Sequence, residues 1–212
     1  EGGILITGSH MSPERIGIIP MLGDGRYASA SMTDSLEDRM GSAKTPCSCA
    51  QWDKVLPVDH SRGSGMAYLT SVARNVDVQS IFPRHFKVLL DPGNGTACLV
   101  AKQLFERLGC EVIMVNGTIK PVPDRKAEVR ASTCTEAMSL VRTRGCDVGF
   151  CFDGDADRVL VITGKGTALS EDLVGALFAS HFLGTGETCV TAVNASGLIE
   201  WACSKVGATV HY

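Results

Sequence analysis

Val148-Gly149-Phe150-Cys151-Phe152-Asp153-Gly154-Asp155-Ala156-Asp157-Arg158 sets three carboxylates at alternate positions directly behind an apolar run. Residues two apart in an extended strand point the same way but stand about 6–7 Å apart, too wide for three carboxylates to close on one small ion. Gly154 and Ala156 let the chain curl, and a curled loop brings Asp153, Asp155 and Asp157 together. Three like charges packed so closely oppose one another's ionisation, which argues against a merely solvated turn. An oxygen-only cluster at a strand end suits a hard divalent cation, Mg²⁺ ahead of Zn²⁺.

Two other chemistries use similar spacing. An EF-hand loop places Asp at its first, third and fifth positions, then requires Gly at the sixth and Glu at the twelfth. Those positions hold Arg158 and Gly164, so that reading fails. A phosphotransferase of the haloacid dehalogenase type also places Asp-x-Asp after an apolar strand, with Asp153 as nucleophile and Asp155 as acid/base. It needs a downstream Lys and a further acidic motif, for which Lys165, Lys205 and Glu171-Asp172 are the candidates. That reading stays open here.

Upstream of the loop, residues 87–91 read as a strand and 96–108 as a helix showing Val100, Leu104 and Leu108 on one face, ended by Gly109. Residues 111–115 read as the next strand. Strand, crossover helix and strand of this length form a βαβ unit, so the strands should be parallel. Thr133-Cys134-Thr135-Glu136 has the form of a capping box for a helix that stops before Gly145. Downstream, residues 159–163 are a strand followed by a Gly164-Lys165-Gly166 turn, and Ser170-Glu171-Asp172 opens a helix to about residue 182. Residues 188–193, a helix from about 198 and a strand from 208 open a further βαβ unit. Nearer the start, residues 3–7 read as a buried strand. A polar loop over 8–17 follows, then a hairpin of 18–22 and 27–30 turning at Asp24-Gly25. A weak helix is expected over 35–43, irregular chain over 45–65, and a helix over 67–78 with Leu69, Val72, Ala73 and Val76 on one face. The fold class is α/β with parallel βαβ units.

At 212 residues the chain can hold one large domain or two small ones. A net charge of −3 and scattered Lys and Arg argue against a nucleic-acid surface. No apolar run approaches the length of a membrane span, and no secretory signal is visible. The nine cysteines form no CxxC pair, and Cys98, Cys110, Cys151, Cys189 and Cys203 lie in apolar contexts. Free Cys of that kind behaves as a small core hydrophobe, and a cytoplasmic location is expected. Cys47, Cys49 and His60 lack the second ligand pair of a zinc site. The first residue is Glu1 rather than Met and strand patterns sit at both ends, so both ends are expected to be cut from something longer.

Two further loops carry chemistry. Asp91-Pro92-Gly93-Asn94-Gly95 lies at a strand-to-helix turn, where phosphates often bind. Its spacing lacks the last glycine of a dinucleotide fingerprint, so it reads as a tight turn needing positive φ. Thr7-Gly8-Ser9-His10-Met11-Ser12-Pro13 sets a hydroxyl beside an imidazole on a glycine-flanked loop, as a phosphoryl-carrying serine requires. Gly8-Ser9-His10-Met11 also matches the scar of a cleaved expression tag, but a plausible strand precedes it.

With the aspartate loop, these segments resemble the α-D-phosphohexomutase family: phosphoglucomutase, phosphomannomutase and phosphoglucosamine mutase. Thr7 to Ser12 look like the family's phosphoserine loop, Thr-Ala-Ser-His-Asn-Pro. Asp91 to Gly95 look like its Asp-x-Gly-Asn-Gly, and Pro123-Asp124-Arg125-Lys126-Ala127-Glu128-Val129 is similar to its Pro-x-Arg-x-Pro-Glu-Pro. Asp153 to Arg158 match its metal loop, Asp-Gly-Asp-x-Asp-Arg, in full. The resemblance covers nearly the whole chain and implies consecutive mixed-sheet α/β domains. Residues 1–80 would be the later part of domain I, 84–185 domain II and 186–212 the start of domain III. The remaining domains of the parent chain would bind the sugar and clamp its phosphate.

The resemblance implies that phosphorylated Ser9 donates to a hexose phosphate. The hexose 1,6-bisphosphate so formed would turn around and return its other phosphate to Ser9. Mg²⁺ would be held by Asp153, Asp155, Asp157 and a phosphate oxygen on Ser9. Arg158 would hold phosphoryl oxygens, His10 would orient sugar or phosphate, and Arg15 and Arg125 would contact substrate. The family usually carries Asn-Gly-x-Lys after the serine loop, and that Lys is a favoured acid/base. Here the matching residues are Ile16-Gly17-Ile18-Ile19, and an isoleucine moves no proton. Arg15 is near but stays protonated. Met11 and Ser12 replace Asn and Pro. A non-catalytic homologue that binds metal and sugar phosphate is therefore a second reading.

Overall fold

The computed structural model describes residues 2–8, 14–42 and 63–212, and the chain divides into two compact units, Glu1–Val76 and Asp77–Tyr212. In the first, β1 (Gly3–Thr7) pairs antiparallel with β2 (Gly17–Met21), Thr7 facing Gly17 and Gly3 facing Met21. The expected strand is there, but it is not buried: Ile4, Ile6 and Ile18 are each 69% exposed. An unbroken apolar run reads as a doubly covered strand, and among the described residues this ribbon has only two strands.

The Asp24-Gly25 turn forms, with Leu22 N donating to Arg26 O (2.7 Å) and Arg26 N donating to Asp24 Oδ1 (3.1 Å). Its return strand shrinks to one bridge, Met21 to Tyr27, because a helix begins soon after. That helix, α1 (Ala30–Ser42), starts well before the expected residue 35; Ser29 Oγ accepts from Met32 N at its entry (3.4 Å). Cys47, Cys49 and His60 lie outside the described residues. Helix α2 (Ser64–Ala73) buries Leu69 and stops short of the expected residue 78. Asp77 instead caps a separate short helix, α3 (Val78–Ile81), accepting from Ser80 N at 3.1 Å.

The second unit is built on a four-stranded sheet of β3 (Lys87–Asp91), β4 (Glu111–Met114), β5 (Val148–Phe152) and β6 (Val159–Thr163), in the order β4-β3-β5-β6. β3 is parallel to both β4 and β5, whereas β6 is antiparallel to β5. Successive residues of a strand face opposite ways. Val88 and Leu90 thus pack with Ala97 and Ala101 on one side, and Leu89 packs with Ala137 and Val141 on the other. The result is a helix layer on each face of a mixed sheet.

Two local expectations give way to this packing. The helix expected over 96–108 is a 3₁₀ turn (Thr96–Leu99) followed by α4 (Ala101–Arg107), interrupted at Val100 with φ −131°. Its buried residues are Ala97, Ala101 and Leu108 rather than the Val100–Leu104–Leu108 stripe, because small side chains seat the segment against Val88 and Leu90. The capping box does not form. Helix α5 (Thr135–Thr143) begins after Cys134 with no side-chain cap. Thr133 Oγ1 is taken by the preceding backbone, donating towards Glu128 O (2.6 Å) and Arg130 O (3.0 Å) and accepting from Arg130 N (3.0 Å).

Beyond the sheet, Ser170 caps α6 (Glu171–Phe182) by accepting from Leu173 N (3.2 Å). Helix α7 (Gly197–Val206) packs Ile199, Ala202 and Cys203 against Ala176 and Ala179 of α6. Strands β7 (Thr188–Val190) and β8 (Thr209–His211) flank α7 and pair in parallel, completing the expected βαβ unit. No helix among the described residues is long and apolar enough to cross a membrane.

Candidate metal centre

β5 runs into the aspartate loop and β6 carries the chain back, Phe152 facing Val159 across it. The loop is curled rather than extended. Asp153 N donates to Arg158 O (3.4 Å), Arg158 N to Asp153 Oδ1 (3.1 Å) and Ala156 N to Asp153 O (3.2 Å). Ala156 makes the bend in the left-handed region, φ 63°, a conformation that costs a residue with a Cβ about 1 kcal/mol or more. Such strain is retained where surrounding structure over-determines it, commonly at functional sites.

One carboxylate oxygen from each of Asp153, Asp155 and Asp157 lies within 4.8 Å of the other two. Opposite ligand oxygens stand about 4.0–4.2 Å apart around Mg²⁺ and about 4.6–5.2 Å apart around Ca²⁺, so the trio is close enough to converge on one divalent ion with at most a small closing movement. Asp153 is fully buried, yet its Oδ2 accepts no hydrogen bond among the described residues. The Arg158 guanidinium is not close enough to satisfy it, Nε standing 3.9 Å away. Burial first, then donation of the Asp153 carboxyl proton to Asp157 and the like charges of Asp157 and Asp155, push the Asp153 carboxyl up to about 6, against the lowering effect of Arg158 N. A buried carboxylate oxygen with no donor, beside two more carboxylates, fits a hard cation.

Arg158 lies between Asp153 and Asp157 (Nε 3.8 Å from Asp157 Oδ1) with its side chain 46% exposed. It also lines a cavity of about 230 Å³ with Val129, Leu160, Leu169, Glu171 and Val174. An exposed guanidinium at a concavity beside the acidic trio can donate to an anionic oxygen that enters there.

Arg125, expected to contact substrate, is turned inward instead. Its Nε bonds Asp91 Oδ2 (2.9 Å), Nη1 donates to Lys126 O (3.0 Å), and Nη2 donates to Phe152 O (2.6 Å) and Asp91 O (3.3 Å). The turn after β3 has the positive φ expected of it, at Gly93 (57°) and Asn94 (61°). Gly95 does not share that conformation; its φ is −94°. Ser9 and His10 lie outside the described residues, and Arg15 is exposed in the first unit. Sequence reasoning missed Asn116, which has φ 48° and donates through Nδ2 to Asp91 Oδ1 (3.1 Å). A polar residue that tolerates the left-handed region, set just after a strand, was the available signal.

Of the dehalogenase-type candidates, Glu171 lines the cavity with Arg158, but the others lie elsewhere, Lys205 on α7 with its Nζ over the Trp201 ring. Lys165 sits in the turn after Thr163, at the end of the β5–β6 hairpin away from the aspartates, roughly 16 Å of strand from them. Asp172 accepts from Ser196 N (3.2 Å) at the start of α7.

Residues 66–166 match the model of the phosphoglucomutase/phosphomannomutase α/β/α domain II. The chain is 32% identical over 213 residues to a phosphopentomutase of Thermococcus kodakarensis, covering 99% of this chain and 46% of that protein. It is 28% identical over 220 residues to a phosphoglucosamine/phosphogalactosamine mutase of Sulfurisphaera tokodaii, covering 100% and 48%. Among solved structures, parafusin, a phosphoglucomutase from Paramecium, superposes with a TM-score of 0.76 at 18% identity over 99% of this chain and 44% of that one. A phosphoglucomutase/phosphomannomutase family protein from Burkholderia thailandensis gives 0.71 at 23% identity, over 99% and 44%. Those two likenesses concern the fold. The chain spans about half the length of the curated relatives it matches. The curled aspartate loop lies inside the matched segment, and the chain belongs to the phosphoglucomutase/phosphomannomutase family, whose domain II it contains.

Proposed function

We propose that this chain is a portion of a Mg²⁺-dependent phosphohexomutase that moves phosphate between C1 and C6 of a hexose phosphate through phosphorylated Ser9. The observation that carries the proposal is the buried Asp153, one oxygen without a donor, grouped with Asp155 and Asp157 on a segment of mutase descent. Asp153, Asp155 and Asp157 would hold the cation together with a phosphoryl oxygen on Ser9. When bound, the cation neutralises charge developing on the transferred phosphoryl group. Arg158 grips phosphoryl oxygens, His10 orients sugar or phosphate, and Arg15 contacts substrate. The hexose 1,6-bisphosphate is the intermediate that must turn around. Residues 1–80 are assigned to domain I, 84–185 to domain II and 186–212 to the start of domain III, and the enzyme to the cytoplasm.

The relatives' names span pentose, hexosamine and hexose phosphates. One observation favours a second reading, a non-catalytic binding homologue: Ile19, in β2 opposite Leu5, stands where the family's acid/base Lys is usual. The complete protein, given a hexose 1-phosphate, Mg²⁺ and a trace of hexose 1,6-bisphosphate, is expected to form hexose 6-phosphate. Ser9→Ala and Asp153→Asn should each remove that turnover. Loss with Asp153→Asn alone would indicate the dehalogenase chemistry, and an inert wild type the binding homologue.

A further inference from the structure

We propose that Arg125 is a positioning residue for the metal centre: paired with Asp91, it fixes the peptide that aims the Asp153 carboxylate. The inference rests on the metal reading of the aspartate trio. The Arg125–Asp91 pair is buried, its side chains 9% and 3% exposed. Replacing a buried ion pair by apolar residues of similar size often stabilises a protein, so folding alone is a poor reason for this one.

Its bonds indicate another reason. Arg125 Nη2 bridges the ends of two neighbouring parallel strands, donating to Asp91 O of β3 and Phe152 O of β5. Phe152 is the last residue before Asp153, so its carbonyl shares a rigid peptide plane with Asp153 N. That N donates in turn to Arg158 O (3.4 Å). The plane is held on both edges, which restricts the backbone orientation from which the Asp153 side chain departs. Nothing in the aspartate loop itself supplies the carbonyl edge.

Arg125 is itself seated from several sides. The remaining Asp91 oxygen accepts from Gly93 N (2.9 Å) and Asn116 Nδ2 (3.1 Å). Asn94 ties down the segment that delivers Arg125, donating to Thr118 O (2.8 Å) and accepting from Asp124 N (2.9 Å). A Cβ on Gly93 would lie 2.8 Å from Arg125 Nη2 and 3.1 Å from Phe152 O, so the guanidinium fills the space beneath that turn. A planar fork can serve Asp91 and two carbonyls at once; an ammonium at that point cannot reproduce the fan of donors.

The test uses full-length protein with Arg125→Gln, Arg125→Lys and a core control, Val141→Ala, whose buried side chain packs on the sheet and not on the loop. Two quantities are read: amide exchange of the peptide covering 153–158 in EDTA, and Mn²⁺ affinity by electron paramagnetic resonance. Arg125→Gln is expected to speed exchange there and weaken Mn²⁺ about tenfold or more, the scale on which outer partners tune a metal site. Arg125→Lys should recover melting temperature without recovering either quantity. Val141→Ala should lower melting temperature and leave both within about twofold, because Val141 packs with Leu89, Ala137 and Ile162 and takes no part in the hydrogen bonds around Arg125. Wild-type exchange and affinity in both Arg125 variants would overturn the inference. A wild type that binds no Mn²⁺ would overturn the metal reading, while exchange at 153–158 still decides whether Arg125 braces the loop.

Discussion

Asp153→Asn is expected to abolish the stabilisation that Mg²⁺ or Mn²⁺ gives the protein, and to make the metal-free form more stable at neutral pH than the wild type. The first effect follows from removing a charged ligand at the buried corner of the trio, with a loss of affinity on the order of 100-fold. At a metal concentration 100 times Kd, the wild type gains about 2.7 kcal/mol by mass action, and the variant should gain almost none. The second effect follows from burial with one oxygen, Oδ2, lacking a donor. The carboxyl is raised from an ordinary 3.8 to about 6. Between those values the unfolded chain has released its proton and the folded chain still holds it, so the stability present in acid is lost as pH rises through about 6. Melts in EDTA at pH 4.5, 6 and 7.5 should show that decline in the wild type and not in the variant. Added metal should reverse the wild-type trend, because the cation favours the ionised form. An unchanged metal-dependent shift in Asp153→Asn would remove Asp153 from the site.

Gly95→Ala should be nearly as damaging, for a steric reason. A Cβ at Gly95 would collide with Gly154 O and lie 2.9 Å from Gly154 C and Cα, all backbone atoms of the aspartate loop. Thr96 N donates to that same carbonyl at 2.9 Å. The added methyl must therefore separate the two loops and stretch that bond. Forced separation of packed backbone costs about 1–3 kcal/mol, and Mn²⁺ affinity should fall with it. Since φ at Gly95 is −94° and ψ −161°, which any residue adopts, backbone strain contributes nothing to the loss. Denaturant unfolding together with a Mn²⁺ titration reads both effects. A wild-type midpoint and affinity would show that the loops do not meet this closely.

That pair of glycines also shows what a sequence can convey. Gly93 was readable as a positive-φ turn residue, because strand-to-helix turns with Pro-Gly-Asn have few other solutions. Gly95 was not readable as a contact, since its partner Gly154 is 59 positions away and nothing local records the approach. Strands β3, β5 and β6 were legible to the residue because each is an apolar run between breakers. The curl of the aspartate loop was legible because carboxylates two apart make no sense in extended chain. Arg125 was visible as a cation but not as a buried one, since its direction depends on Asp91 and Phe152 O meeting it in space. Thr133 had the right neighbours for a capping box and lost that role to the backbone of Glu128 and Arg130. The exposure of Ile4 and Ile6 was hidden for the opposite reason: their pattern anticipates a covering layer that the described residues do not include.

The phosphoryl carrier is the decisive point. Incubation of the complete protein with a hexose 1,6-bisphosphate and Mg²⁺, followed by peptide mass spectrometry, should find phosphate on Ser9, and subsequent addition of hexose monophosphate should remove it. A correctly folded protein whose Ser9 stays unmodified under those conditions contradicts the mutase.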